Sequence, residues 1–373
     1  MPYFGLRSTS LVLAVCVTGF IAACSDAPSK SLTAPGAIDR AVSAAALANA
    51  TIHEIPALLN HGVNGMNDSD EVSGDSGGRP FKWSPAHGIQ WLDTTGLKSA
   101  VATSISNNGG VAGFAAFGDS NADHGVVWLP NGKPRVFPLP PDSLPTSPEF
   151  SEPSCGIAAI NVYGRLVGNC VIKDGFTSAE EFQWHGPTLN PPPGVPAANQ
   201  LTSISDDGWI GSGNFGDMFG STGAAITSPT GQTFTLRNHD GQLPILPSWV
   251  NAVTRHGWAA GVDFEGVCGQ AVAWLDHPGQ TYPEFRMGTC GEAVGLTDDW
   301  YVVGTGTDSL NNPASRWAFV WFPGPGLQRL PGFGMSGETS SAIAVNAKHH
   351  VLGQITDGST VHTVIWYVGP RTP

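Results

Sequence analysis

Two short patterns of apolar and polar positions recur along this chain, from about residue 63 to residue 366. The first alternates apolar residues and ends in tryptophan: "RPFKW", "HGVVW", "EEFQW", "QAVAW", "AFVW" and "HTVIW". These copies end at Trp83, Trp128, Trp184, Trp274, Trp321 and Trp366, and a degenerate copy, "GAAIT", puts Thr227 in the gap. Alternation with a period of two predicts half-buried strands. Six intervals separate Trp83 from Trp366, a mean period of about 47 residues, which lies in the range of propeller repeats.

The second pattern is an apolar residue, a polar turn and a small strand ending in glycine. It reads "MNDSDEVSG", "ISNNGGVAG", "INVYGRLVG", "ISDDGWIGSG", "VTRHGWAAG", "LTDDWYVVG" and "VNAKHHVLG". Gly74, Gly113, Gly168, Gly261, Gly304 and Gly353 close these phrases and are read as turn glycines. An Asn/Asp/Gly centre between two β-rich arms predicts a hairpin. The tryptophan phrase is followed by a turn and another strand, as in "WLPNGKPRVFPL". Two hairpins per period make four strands, so seven periods predict an all-β fold, a seven-bladed β-propeller of four-stranded antiparallel blades. The recurrence of tryptophan at one place in every unit predicts core packing between blades rather than sugar stacking. Ring closure is expected through a blade shared between the first glycine hairpin, 66–74, and the last tryptophan phrase, because hydrogen bonds then protect the edges. Seven consecutive whole blades are the alternative.

The phrases "HGVVWLPNG", "WAFVWFPGPGLQRLPGFG" followed by "SSAIAVNAKHHVLG", and "AAINVYGRLVG" resemble the HAF repeats of bacterial extracellular proteins. The resemblance covers about residues 63–366. Single copies are degenerate: only His124 and His362 stand near the first position of the repeat, and Thr227 replaces a tryptophan. It implies an extracellular repeat propeller and says little about activity, since propellers host many functions. The chain lacks the Gly-His and Trp-Asp signature of WD40 repeats.

Residues 1–23 read as an export signal: Arg7 is the one charge of its first ten residues, and the uncharged run 11–23 is too short to span a bilayer. Ile21-Ala22-Ala23-Cys24 resembles a bacterial lipobox, which implies cleavage before Cys24 and a lipid on that residue. Membrane attachment through that lipid, on the periplasmic or cell-surface side, is then expected. Ser25, rather than an aspartate, favours the outer membrane of a Gram-negative host. Residues 24–60, rich in Ala, Ser and Pro, read as a tether, and 61–370 as the propeller. Cys155, Cys170, Cys268 and Cys290 remain after the signal and the lipidated residue, an even set that suggests two disulfides in an exported chain. Folding "CGIAAINVYGRLVGNC" about Val162-Tyr163 opposes Ile160 to Arg165 and Cys155 to Cys170. Cys268 and Cys290 lie in consecutive connections, so the expected pairs are Cys155–Cys170 and Cys268–Cys290. A net charge of −13 argues against a nucleic-acid partner.

Candidate chemistry is sparse. "GDSGGRP" around Ser76 is close to the serine stretch of trypsin-like proteases, but only the tether, His53 and His61 lie upstream. Gly-Asp and Asp-Ser recur in corresponding loops, so Ser76 reads as a loop residue. There is no Gly-x-Ser-x-Gly, His-Glu-x-x-His or Cys-x-x-Cys motif, and no cofactor or metal is implied. His349-His350 reads as a solvent-exposed turn. Asp68, Asp70 and Asp75 are only faintly like a calcium loop. The longer connections between phrases carry Asp119, Asp123, Asp174, Asp217, Asp263, Glu265 and Asp308. Two functions fit: a non-catalytic scaffold binding an extracellular glycan or protein, or a propeller enzyme, a glycosidase or lyase, using a pair of loop carboxylates.

Overall fold

The computed structural model describes residues 50–117, 123–137, 151–173, 178–185, 188–190, 200–214, 223–237, 247–264, 268–275, 284–308, 315–323 and 325–369. These residues form a seven-bladed β-propeller of four-stranded antiparallel blades. Blade 1 is built from Gly62–Met66, Val72–Ser76, Arg79–Ser84 and Gly88–Trp91, and blade 2 from Leu97–Ile105, Val111–Phe117, Asp123–Trp128 and Pro134–Val136. Blade 3 holds Ser151–Ile160, Leu166–Lys173, Ser178–His185 and Thr188–Asn190; blade 4 holds Gln200–Ile204, Ile210–Asn214, Ala225–Thr227 and Thr233–Thr235. Blade 5 comprises Ser248–Val253, Ala259–Asp263 and Gln270–Trp274, and blade 6 comprises Val302–Thr307, Arg316–Phe322 and Gly326–Arg329. One long strand, Glu284–Leu296, serves both: its first part pairs with Gln270–Trp274 and its second with Val302–Thr307. Blade 7 is Thr339–Val345, His350–Asp357 and Thr360–Tyr367, completed by Thr51–Glu54. The first strands of successive blades neighbour one another right round the ring, blade 7 meeting blade 1.

The ring is closed by hydrogen bonds within a shared blade, but the shared segment differs from the sequence expectation. The 66–74 hairpin belongs to blade 1, which is complete in itself. The closing strand is Thr51–Glu54, paired from Thr51↔Tyr367 to Glu54↔Val364. Residues 51–60, placed in the tether by composition, are therefore part of the fold. A short 3-10 turn, Pro56–Leu58, follows and buries Ile55 and Leu58 against blades 7 and 1. Asn60 then exchanges two bonds with Val361, both at 2.9 Å.

Each glycine phrase folds the same way for the same reasons. Every first strand carries a bulge near its end, at Asn64, Thr103, Ala158, Thr202, Asn251, Val294 and Ile343. A bulge bends the strand and re-aims a side chain. Four of these side chains use that aim to donate to the first strand of the next blade: Asn64 to the Ala102 carbonyl at 2.7 Å, Thr103 to Ile157 at 2.6 Å, Asn251 to Ala293 at 2.9 Å, and Thr202 to Val250. Ala158 has no donor, and Asn169 on the neighbouring strand supplies two 2.8 Å bonds to Leu201 instead. The glycines read as turn residues lie inside the second strand of each blade. At Gly74, Gly113, Gly261, Gly304 and Gly353 a Cβ would collide with the carbonyl oxygens of Gly62, Val101, Trp249, Glu292 and Ser341. The requirement is close backbone approach, not a turn.

The tryptophan phrases form the third strands. Trp128, Trp274 and Trp366 are fully buried, and each donates its indole N–H to a carbonyl in the connection arriving from the preceding blade: Asp93 at 2.9 Å, Arg237 at 3.0 Å and Pro331 at 2.7 Å. The ring fills the space between blades while its polar atom fixes the incoming chain. Trp321 is buried, Trp83 is half-buried, and Thr227 occupies the equivalent buried place in blade 4. The Trp184 side chain lies outside the described residues, although its backbone pairs with Leu166.

Both disulfides have the expected partners, Cys155–Cys170 and Cys268–Cys290, the latter with Cα atoms 5.7 Å apart. Ile160 pairs with Leu166 rather than Arg165, because the turn is longer than two residues. The bulge at Ala158 then takes up the extra residue and returns Cys155 to a position opposite Cys170. Cys24 lies outside the described residues. No helix among the described residues is long and apolar enough to cross a membrane.

Candidate functional site

The seven glycine-phrase turns share one backbone. Their fourth residue is left-handed in every case: Asp70, Gly109, Gly164, Gly208, Gly257, Trp300 and His349. Glycine takes that conformation freely and other residues at a cost, so the three exceptions call for compensation. Asp70 accepts from Asn346 at 2.7 Å and pairs with His350 at 2.8 Å. Trp300 packs edge-on against Trp258 at 5.3 Å. His349 stacks on Tyr301 at 3.9 Å, and its Nε2 bonds Asp299 at 2.7 Å. His349-His350 is therefore not the exposed turn expected from sequence. His349 is buried and His350 half-buried, each held by a carboxylate of an adjoining blade. Burial alone would raise the Asp299 carboxyl, but hydrogen bonds from His349 and Thr297 outweigh it and hold it below its ordinary value.

In three of these turns the first residue is a clasp. Asn67, Asn161 and Asn346 cap their own turns through Oδ1, and their Nδ2 groups donate to the equivalent carbonyl of the next blade: Ser106, Ser205 and Asn67, each at 3.1 Å. Asp68 likewise binds Asn107 Nδ2 and the Ala347 N–H, both at 2.8 Å. The acidic run 68–75 thus spends its first carboxylates on blade junctions, and no group of three metal-capable side chains occurs among the described residues. Ser76 ends the second strand of blade 1 and pairs with Arg79 across the Gly77-Gly78 turn, both glycines having positive φ. "GDSGGRP" is a tight β-hairpin.

Asp119, Asp174, Asp217 and Glu265 lie outside the described residues. Asp123, Asp263 and Asp308 fall in blades 2, 5 and 6. Burial pushes the Asp123 carboxyl up, with His124 opposing. Asp263 is buried beside Arg286, whose Nε meets the equally buried Glu284 at 2.9 Å. Asp308 pairs with Arg329 and accepts the Trp317 indole N–H at 3.1 Å.

Asp308 and Trp317 belong to a rim position that varies from blade to blade. In blades 1, 6 and 7 the residue two before the glycine-facing member of the third strand meets the outer strand. In blade 1 this sets Arg79 over Trp91 at 4.5 Å; in blade 6 the roles are exchanged, with Arg329 over Trp317 at 4.3 Å. In blade 7 it is His362 with Glu54 at 2.8 Å. At blade 6 the rim borders a cleft of about 240 Å³, lined by Asp308, Arg316, Trp317, Arg329, Glu338 and Ser340 among others. Glu338 organises its far wall by accepting the backbone N–H groups of Phe333 at 3.0 Å, Met335 at 3.2 Å and Gly334 at 3.3 Å. Neither this clasp system nor the cleft is visible as a motif; the Asn that starts three of the seven turns, at 67, 161 and 346, is the one signal that could have indicated the clasps.

No family model matches the chain, and no curated protein does. Among solved structures it is similar to virginiamycin B lyase from Staphylococcus aureus, at 11% identity and a TM-score of 0.50, over 85% of this chain and 99% of that one. A streptogramin B lyase structure (12% identity, TM-score 0.39, 86% and 98% coverage) and a mitotic checkpoint complex chain (13%, 0.48, 93% and 100%) also match. At 11% identity the first likeness is one of fold.

Proposed function

We propose that this chain is a non-catalytic binding propeller of the HAF-repeat kind, exported, held at a membrane through lipid on Cys24, and presenting its variable rim to an extracellular glycan or protein. The observation that carries the non-catalytic reading is the fate of the carboxylates. A general acid or base must reach substrate. Asp263 and Glu284 have side chains only 3% and 0% exposed and face one arginine. Asp308 is engaged by Arg329 and Trp317. Asp263 and Glu284 are thereby closed to substrate, and Asp308, whose side chain is 54% exposed, is the described group that a lyase or glycosidase reading would have to use. The disulfides support an oxidising, extracytoplasmic compartment. The test incubates the purified full chain with a glycan and protein array and, in parallel, assays bound glycans for new chain ends. Binding without cleavage is expected; cleavage that survives repurification and is lost in Asp308→Asn refutes the reading.

A further inference from the structure

We propose that the cleft between blades 6 and 7 binds a single carboxylated sugar unit, a uronate residue of an extracellular glycan, with Arg316 as its carboxylate ligand. This rests on the binding reading above and names a ligand class and a site for it.

Size comes first. At about 240 Å³ the cleft is below the range of roughly 300–1,000 Å³ that holds drug-sized ligands, which suits one ring rather than a long segment. Charge state of the lining comes second. Its two carboxylates are already committed, Asp308 to Trp317 and Arg329, and Glu338 to three backbone N–H groups. What the lining still offers is donors. Arg316 is exposed at the end of the third strand of blade 6; its charge acts on the Glu292 carboxyl, but among the described residues no hydrogen bond engages its guanidinium. Ser340 accepts the Ala318 N–H at 2.9 Å, which leaves its hydroxyl proton to point elsewhere. A cleft that presents an arginine fork and a hydroxyl donor selects an acceptor-rich anion. Shape comes third. The Arg329 guanidinium, backed by Trp317 and fixed by Asp308, makes a flat, rigid wall on one side. Flat walls suit pyranose rings, whereas a bare inorganic anion gains nothing from them.

The test uses the full chain in titration calorimetry with three probes: tetragalacturonate, its fully methyl-esterified form, and inorganic phosphate. Tetragalacturonate is expected to bind, with the ester at least tenfold weaker and phosphate no better than the ester. Arg316→Gln should weaken tetragalacturonate binding by about 10- to 100-fold, the worth of a charge-assisted hydrogen bond. Arg316→Gln also removes the charge that opposes burial at Glu292, so folding is checked by circular dichroism, the spectrum expected unchanged, and Arg79→Gln, at the blade 1 rim, should bind as wild type. Equal binding of acid and ester, displacement by phosphate at equal concentration, or indifference to Arg316→Gln overturns the proposal. So does the absence of binding by any probe to folded protein, an outcome that leaves the array result standing for the general reading. Cleavage of bound tetragalacturonate would remove the non-catalytic reading while keeping the site.

Discussion

Asn346 joins the last blade to the first, and its replacement isolates the energy of the clasp. The side chain is 3% exposed and makes four hydrogen bonds. Its Oδ1 accepts from Lys348 at 3.0 Å and His350 at 3.1 Å; its Nδ2 donates to Asn67 at 3.1 Å and Asp70 at 2.7 Å. Asn346→Ala removes all four. The Lys348 N–H can turn to water, but the Asn67 carbonyl loses a buried donor. With each lost bond worth about 1 kcal/mol, and a stranded buried group about 1–3 kcal/mol, the cost should be roughly 3–5 kcal/mol. Asn346→Ser separates the two halves of the effect. Serine caps the equivalent turn in blade 4, where Ser205 Oγ accepts from Trp209 at 3.0 Å, but it is too short to cross to the next blade. The serine variant should lose only the clasp, about 1–2 kcal/mol. Equilibrium urea denaturation of the full chain, disulfides intact and followed by tryptophan fluorescence, measures both. A cost below about 1 kcal/mol for alanine, or equal costs for the two variants, refutes the clasp as an energetic element.

Gly353→Ala should cost more than about 2 kcal/mol, because its Cβ meets the Ser341 carbonyl and the Trp366 ring, and overpacking of that kind forces backbone movement; a denaturation midpoint equal to wild type would contradict the close-approach argument. Asp299 has a depressed carboxyl, so its contribution is present above its unfolded value of about 3.8 and is lost as pH falls below it. Asp299→Asn should therefore be less stable than wild type at pH 6 and converge with it as pH drops below 3.8, read from midpoints across pH. Glu292 is the converse: burial raises its carboxyl, with Arg316 opposing, so folding disfavours its charge. Glu292→Gln should be more stable than wild type at pH 7.5, and the gap should close as pH falls toward 4.5. Cys24→Ala should move the protein from membrane to soluble fractions, and a salt-washed membrane pellet still holding the variant would remove the lipid anchor.

The sequence makes the repeat legible because each blade must solve the same problem with the same few residues. Glycine answers the bulge opposite it, tryptophan fills the wedge between blades, and a two-residue hairpin period leaves the strands readable. The Cys155–Cys170 pairing follows from register alone, even though the turn and the bulge each shift that register by one residue in compensating directions. What stays hidden is whatever depends on a neighbour far away in the chain. "TIHE" at 51–54 carries neither phrase, and becomes a strand only because Thr360–Tyr367 offers it a free edge. His349 looks like an exposed turn residue until the turn of blade 6 sets Tyr301 and Asp299 against it. The cleft beside Arg316 depends on a loop curled around Glu338, a shape that no periodicity announces.

The closing strand also fixes an order of events. Thr51–Glu54 is made first among the described strands, and its partner, Thr360–Tyr367, is made last, about 300 residues later. Blades 1 to 4 have all their strands as soon as they emerge, and blades 5 and 6 follow once their common strand has appeared. Blade 7 cannot be completed until the whole chain is out. Until then the first strand must wait without a partner, and any truncated product keeps an open edge able to pair with another chain. Completion of the ring thus reports that synthesis has reached residue 367.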